Sequence, residues 1–262
     1  MMNGVKTKLA ASIWCILTGI LVAGCSHRPE FSGAEQRAFA APPAFLTGPM
    51  ALVLTNANSY SAQIIFETMT AWGSTQMVTG YFTAGGNKLA FEPELNKASR
   101  KNSDAKMVFV WDIGQGGGNA FNDALQGYAP YSGNVRYTNV VSAKKGVESE
   151  RIAGHECVKE VVMVSGNDGS TKLLQVWRAA DMRGFPLRIS GDTNSSVLTL
   201  SKVQFGPPAE ILMSAEGFTK YESPDAMVTE LVSRQRNLRR KSDTSFGSPE
   251  LMEHQSRPGQ PY

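Results

Sequence analysis

The chain has 262 residues, and its 26 Lys and Arg stand against 23 Asp and Glu, a balance that excludes the concentrated basic surface nucleic-acid recognition requires. Its three cysteines are too few for a disulfide-stapled scaffold, so stability must come from an apolar core. A stretch of about 190 residues is long enough to bury one, within the size of a single domain.

In chain order, Lys6 and Lys8 precede a segment from Leu9 to Gly24 that carries no charge and is rich in Ile13, Trp14, Ile16, Leu17, Ile20, Leu21 and Val22. This is the basic and then apolar layout of a secretory signal, and at roughly 16 residues it falls short of the ~20 that cross a hydrocarbon core. Leu21-Val22-Ala23-Gly24-Cys25 resembles the bacterial lipobox. The resemblance implies cleavage after residue 24 and a diacylglycerol on the Cys25 thiol, with Cys25 as the new N-terminus. Ser26, where an inner-membrane retention signal has Asp, points to the outer membrane, with the chain facing the periplasm. Residues 25–49, rich in Ala, Gly, Pro and Ser, read as a tether. Of the three cysteines, Cys15 leaves with the signal and Cys25 is acylated, so only Cys157 stays in the folded part.

The next 190 residues are written mostly in short β segments. A helix is expected within residues 42–58, ahead of the first strand. Tyr60, Ala62, Ile64 and Phe66 then alternate with Ser61, Gln63, Ile65 and Glu67, the period of a half-buried strand. Residues 77–83, 88–91 and 106–113 follow, separated by turn chemistry. Residues 160–165 and 172–178 flank Gly166-Asn167-Asp168-Gly169, the clearest hairpin signal. Residues 186–190 and 197–205 add two more strands. Ser223-Pro224-Asp225 opens a helix in which Met227, Val228, Leu231, Val232, Gln235 and Leu238 share a side, with a basic end reaching Lys241. The fold class is mainly β (α+β): seven to nine antiparallel strands in a curved sheet or open half-barrel with one or two helices packed on it, spanning residues 50–241. Residues 242–262 read as a polar, disordered tail.

Three motifs invite chemistry. Gly114-Gln115-Gly116-Gly117-Gly118-Asn119 after an apolar strand, followed by a helix-like Phe121 to Leu125, imitates a dinucleotide loop. It lacks the third glycine, an acid for the ribose and a long helix, and reads as a flexible loop. His155-Glu156-Cys157 could offer a metal pair or a thiol-imidazole dyad, but Lys159 stands where a second zinc-binding histidine would fall, so Cys157 reads as a buried thiol. The pairs Glu92 with Glu94 and Glu148 with Glu150 lie in polar surroundings and read as surface charge. The expectation is a protein that is not an enzyme, with no cofactor and no metal.

The second half carries more than generic β character. Ile152-Ala153-Gly154-His155-Glu156-Cys157, Gln175-Val176-Trp177-Arg178-Ala179-Ala180-Asp181, Gly184-Phe185-Pro186-Leu187 and the closing segment to Gly217-Phe218 resemble a domain-of-unknown-function family of bacterial envelope proteins. The resemblance spans residues 59–221 and is sharp from Ile152 onward. It implies a half-barrel of about eleven strands wrapped over helices, similar to the lipoprotein carriers LolA and LolB. Lipid or another apolar ligand would then lie in a groove, for which Tyr60, Phe66, Trp72, Met77, Phe82, Phe91, Phe109, Trp111 and Trp177 are the lining candidates. The other reading is a structural or protein-interaction lipoprotein in which these aromatics fill the barrel and no ligand enters.

Overall fold

A computed structural model describes residues 41–55, 59–70, 72–94, 106–191, 195–206 and 215–245. The signal segment, Cys25, most of the tether and residues 246–262 lie outside the described residues. The chain begins with two short helices, α1 (Ala44–Thr47) and α2 (Pro49–Thr55). Eleven strands follow: β1 (Tyr60–Met69), β2 (Thr75–Gly85), β3 (Lys88–Pro93), β4 (Val108–Asp112), β5 (Gly117–Asn122), β6 (Gly127–Ser132), β7 (Tyr137–Ile152), β8 (His155–Gly166), β9 (Thr171–Ala179), β10 (Phe185–Gly191) and β11 (Ser196–Phe205). A short 3-10 turn, Ala180–Met182, links β9 to β10, and β12 (Thr219–Lys220) precedes the long helix α3 (Pro224–Ser245).

All twelve strands form one open sheet in the order β12-β6-β5-β4-β3-β2-β1-β11-β10-β9-β8-β7. Two runs of consecutive hairpins, β1 to β6 and β7 to β11, meet where β1 pairs with β11, with Ile64 opposite Leu200 and Phe66 opposite Leu198. Alternation dictates which face is apolar: Tyr60, Ala62, Ile64 and Phe66 of β1, Phe82 and Ala84 of β2, Leu89 and Phe91 of β3, and Leu198 and Leu200 of β11 are all buried. The other face of β1 is polar or exposed.

The mainly β class and the curved open sheet stand as the sequence predicts, and the Asp-Gly hairpin forms between β8 and β9. In its turn the Asp168 carboxylate accepts from the Ser170 hydroxyl at 2.6 Å and the Ser170 N–H at 2.9 Å, which holds that carboxyl below the usual aspartate range. Several details differ. Among the described residues the strands number twelve, above both the seven to nine counted from the sequence and the eleven implied by resemblance. The sheet is not wholly antiparallel, because β12 pairs parallel to β6. The helix-like Phe121 to Leu125 is the end of β5 followed by a turn, since Ala120 and Phe121 point to opposite faces and both are covered. Residues 44–49, read as tether, belong to the folded unit, because Phe45 and Leu46 are 1% and 0% exposed. Helix α3 runs on through residues 242–245, assigned to the tail.

At its start α3 follows the expected signals: the Ser223 hydroxyl accepts the Ala226 N–H at 3.1 Å, and Met227 and Leu231 are buried. It packs on β6, where the Tyr221 ring lies so close over Gly127 that an added Cβ would stand 2.6 Å from it.

Candidate functional site

The concave face is where a ligand would lie, and its floor is aromatic. Of the nine lining candidates, Tyr60, Phe66, Phe82, Phe91, Phe109 and Trp111 are buried there. The other three are elsewhere. Trp72 sits in the β1–β2 turn and is 95% exposed, and Met77 lies on the outer face of β2 at 63%. Trp177 is on the outer face of β9, between the Lys159 ammonium at 5.5 Å and the Arg188 guanidinium at 5.6 Å from its ring centre. Cation and ring stabilise each other there, and the ring faces away from the concave side.

The buried six already have partners from this chain. The Phe45 ring of α1 makes edge contacts with Phe66 at 5.0 Å, Phe91 at 5.3 Å and Phe82 at 6.3 Å between ring centres. Tyr131 of β6 stacks on Trp111 at 5.6 Å and meets Phe109 at 6.0 Å, while its hydroxyl donates to the Val110 carbonyl at 3.1 Å. Tyr60 meets Phe185 at 4.7 Å and donates its hydroxyl to the Leu54 carbonyl at 3.2 Å, tying α2 to β1. Burial pushes both phenols far above their ordinary pKa, so each stays a donor. Beside Trp111 a space of about 10 Å³, bordered by Ala51, Leu52, Ile113 and Tyr137, is at the lower limit for one water. Phe45, Tyr131 and Phe185 are members of this cluster that the sequence reading left out. The signal for Phe45 was available: Phe45-Leu46 and Met50 to Leu54 form an apolar run punctuated by Pro43 and Pro49.

The glycine stretch after β4 is a hairpin turn and neither a phosphate cradle nor a flexible loop. Its amides are used internally, the Gln115 N–H donating to the Asp112 carboxylate at 3.0 Å and the Gly116 N–H to the Asp112 carbonyl at 2.9 Å. Gly116, at φ +68°, lies under the Arg136 side chain, and Gly118 lies under the Tyr131 ring.

His155 and Cys157 do share a face of β8, but each has a different partner. The His155 imidazole bonds the Asp181 carboxylate, Nδ1 to Oδ2 at 2.7 Å, and this bond holds the Asp181 carboxyl below its usual range. The Cys157 thiol is fully buried and donates to the His155 carbonyl at 3.6 Å. Burial pushes its pKa up, which removes the thiolate that nucleophilic or metal chemistry needs. Cys157 in the folded chain is therefore expected to be inert to a thiol-specific disulfide reagent at neutral pH and to react fully once denatured. Rapid reaction of the folded chain would mark it as an accessible nucleophile instead.

Glu92, Glu148 and Glu150 of the acid pairs are ion-paired across the surface. Lys106 meets Glu92 at 2.6 Å, Lys159 meets Glu148 at 3.4 Å, and Arg188 meets Glu150 at 2.6 Å. Among the described residues no three His, Cys, Asp or Glu side chains stand together as a metal site, and no helix is long and apolar enough to cross a membrane.

No family model and no curated protein matches the chain. Solved structures do show a likeness. PNGF-II is 14% identical, with 69% of this chain and 34% of that one covered at a TM-score of 0.34. MucB is 12% identical, with 68% and 65% covered at 0.36. This chain thus spans about a third of the first and slightly under two thirds of the second. A LolA superfamily protein from Nitrosomonas europaea is 12% identical, with 63% of this chain and 97% of that one covered at a TM-score of 0.34.

Proposed function

We propose that the chain is a lipoprotein of the bacterial envelope, anchored through acylated Cys25 and facing the periplasm from the outer membrane. Its half-barrel is a filled scaffold that acts through its surface, without catalysis. The anchor is supported by the lipobox and the apolar run before it. The filled scaffold is supported by one observation above the others: Phe45 occupies the ring of Phe66, Phe82 and Phe91 that an apolar ligand would need.

Magnitudes favour this reading over carriage of a single acyl chain. Phe45, Leu46, Met50, Val53 and Leu54 are all buried. At roughly 1.5–3 kcal/mol each they hold the two helices on the sheet by about 7–15 kcal/mol before entropy is counted. A sixteen-carbon chain gains about 11 kcal/mol at ~0.8 per methylene and also loses freedom on binding. One chain therefore roughly cancels what it displaces. A second reading, uptake of a lipid with several chains, keeps one observation in its favour. The occupant is a single short segment next to the tether, so it could leave without disturbing a strand pair.

Native mass spectrometry of the chain purified from its own envelope tests both readings. The expected mass is that of residues 25–262 plus acyl groups, with no further lipid retained. A retained multi-chain lipid would favour the second reading, and an unacylated Cys25 would overturn the anchor. Cys25→Ser is expected to move the protein out of the outer-membrane fraction.

A further inference from the structure

The outer end of the β1–β2 hairpin has no role in the core. At this tip the Gly73 N–H donates to the Thr70 carbonyl at 2.9 Å and the Thr70 N–H to the Ser74 carbonyl at 2.8 Å. The Thr70 and Ser74 hydroxyls lock it at 2.6 Å, and Gly73 takes φ +76°. A fixed turn thus holds Trp72 out at 95% exposure, while Met69 at 60% and Met77 at 63% lie on the outer face beneath it. Three large apolar side chains gathered at one tip mark an interaction site.

We propose that this tip, Met69, Trp72 and Met77, inserts into the interfacial region of a lipid bilayer. The choice of bilayer, the one holding the anchor, rests on the anchored reading above. Three observations identify the occupant. First, Glu67, on the outer face opposite Met77, is the sole charged residue between Ser59 and Asn87, so the hairpin offers no cation to a polyanion. Second, an exposed tryptophan is the side chain that suits a membrane-water interface, with its indole N–H at the wet side. Third, the anchoring residue lies within reach of this hairpin. Leu54 of α2 is bonded to Tyr60 at the start of β1, whereas Phe45, earlier in the chain, lies against Phe66 further towards the tip. Only 15 residues separate Cys25 from Ala41, the first described residue, a length that spans at most about 55 Å, so the tip lies within reach of the surface in which Cys25 would be held.

The test uses the full mature chain in phosphatidylcholine vesicles, with and without bromine on the acyl chains. Bromine within reach quenches indole emission, and Trp111 and Trp177 supply the background. Quenching is expected in the native chain and expected to fall to background in Trp72→Phe. Cys25→Ser, which cannot be acylated, is expected to keep weak flotation with neutral vesicles that does not change with salt. Adding Trp72→Ser or Met69→Ser to it should lower the partition coefficient, about tenfold for the tryptophan. Trp72 and Met69 are both exposed, and circular dichroism confirms that the sheet is retained. Equal quenching in native and Trp72→Phe chains would overturn the proposal. So would binding that needs anionic lipid and collapses in salt, or self-association through Trp72 without vesicle binding. The mass of the chain reports acylation separately, so loss of the anchored reading and loss of tip insertion are read by different measurements.

Discussion

Gly118→Ala is expected to destabilise the chain by about 3 kcal/mol, seen as a lower denaturation midpoint without a change in slope. Gly118 sits on β5 between Trp111 of β4 and Tyr131 of β6. A Cβ built there stands 2.2 Å from the Val110 carbonyl oxygen and 2.8 Å from the Tyr131 ring. The ring could shift, but the strand backbone cannot without opening the β4–β5 ladder. Tyr131→Ala should therefore fail to rescue the variant, and would cost a further hydrogen bond to Val110. The neighbouring residue is the control. A Cβ on Gly117 meets only the Tyr131 carbonyl oxygen at 3.6 Å, an ordinary contact, so Gly117→Ala should change stability by less than about 1 kcal/mol. Were this stretch a ligand loop with no packing role, both substitutions would be equally mild.

The same residues explain what could be read from the sequence and what could not. Strands β1 to β3 and β8 to β11 announce themselves by alternation or by an Asp-Gly turn, because one of their faces is buried. Strand β7 hides. It is an edge strand, its Lys144, Glu148 and Glu150 are exposed, and its register shifts between Ser142 and Lys144 and between Lys145 and Ser149. Its hairpin to β8 turns through Ala153 at φ +49° and Gly154 at φ +91°, and alanine gives no warning of a positive φ. Strands β5 and β6 are obscured by glycines and by Pro130, which an exposed strand position tolerates.

The candidate site was legible as a set of residue types but not as a place. Phe66 and Phe82 occupy buried alternate positions of β1 and β2 on the concave face. Trp72 is one of the aromatics of the strand-rich region, but the following Gly73-Ser74 is turn chemistry that argues against a strand position. Trp177 falls on the outer face because the inward positions of β9 are Leu174 and Val176, one residue out of phase with it.

Phe45→Ala carries the largest expected cost, about 3–5 kcal/mol, because it empties a fully buried site and leaves the surrounding rings without their edge partner. Those rings belong to three adjacent strands, β1, β2 and β3, which cannot close over the gap without bending the sheet. Trp72→Ser, which removes an even larger side chain, should cost less than about 0.5 kcal/mol, since nothing is packed on it. The contrast separates core from surface aromatics in one denaturation series. Phe45→Ala also tests whether the concave face is filled. The native chain should show no saturable uptake of a fluorescent fatty acid. A folded Phe45→Ala chain should acquire weak uptake, because the vacated space is apolar and no longer held by the helix. Saturable uptake by the native chain, unaffected by the substitution, would mean that the ligand has a site other than the one Phe45 holds.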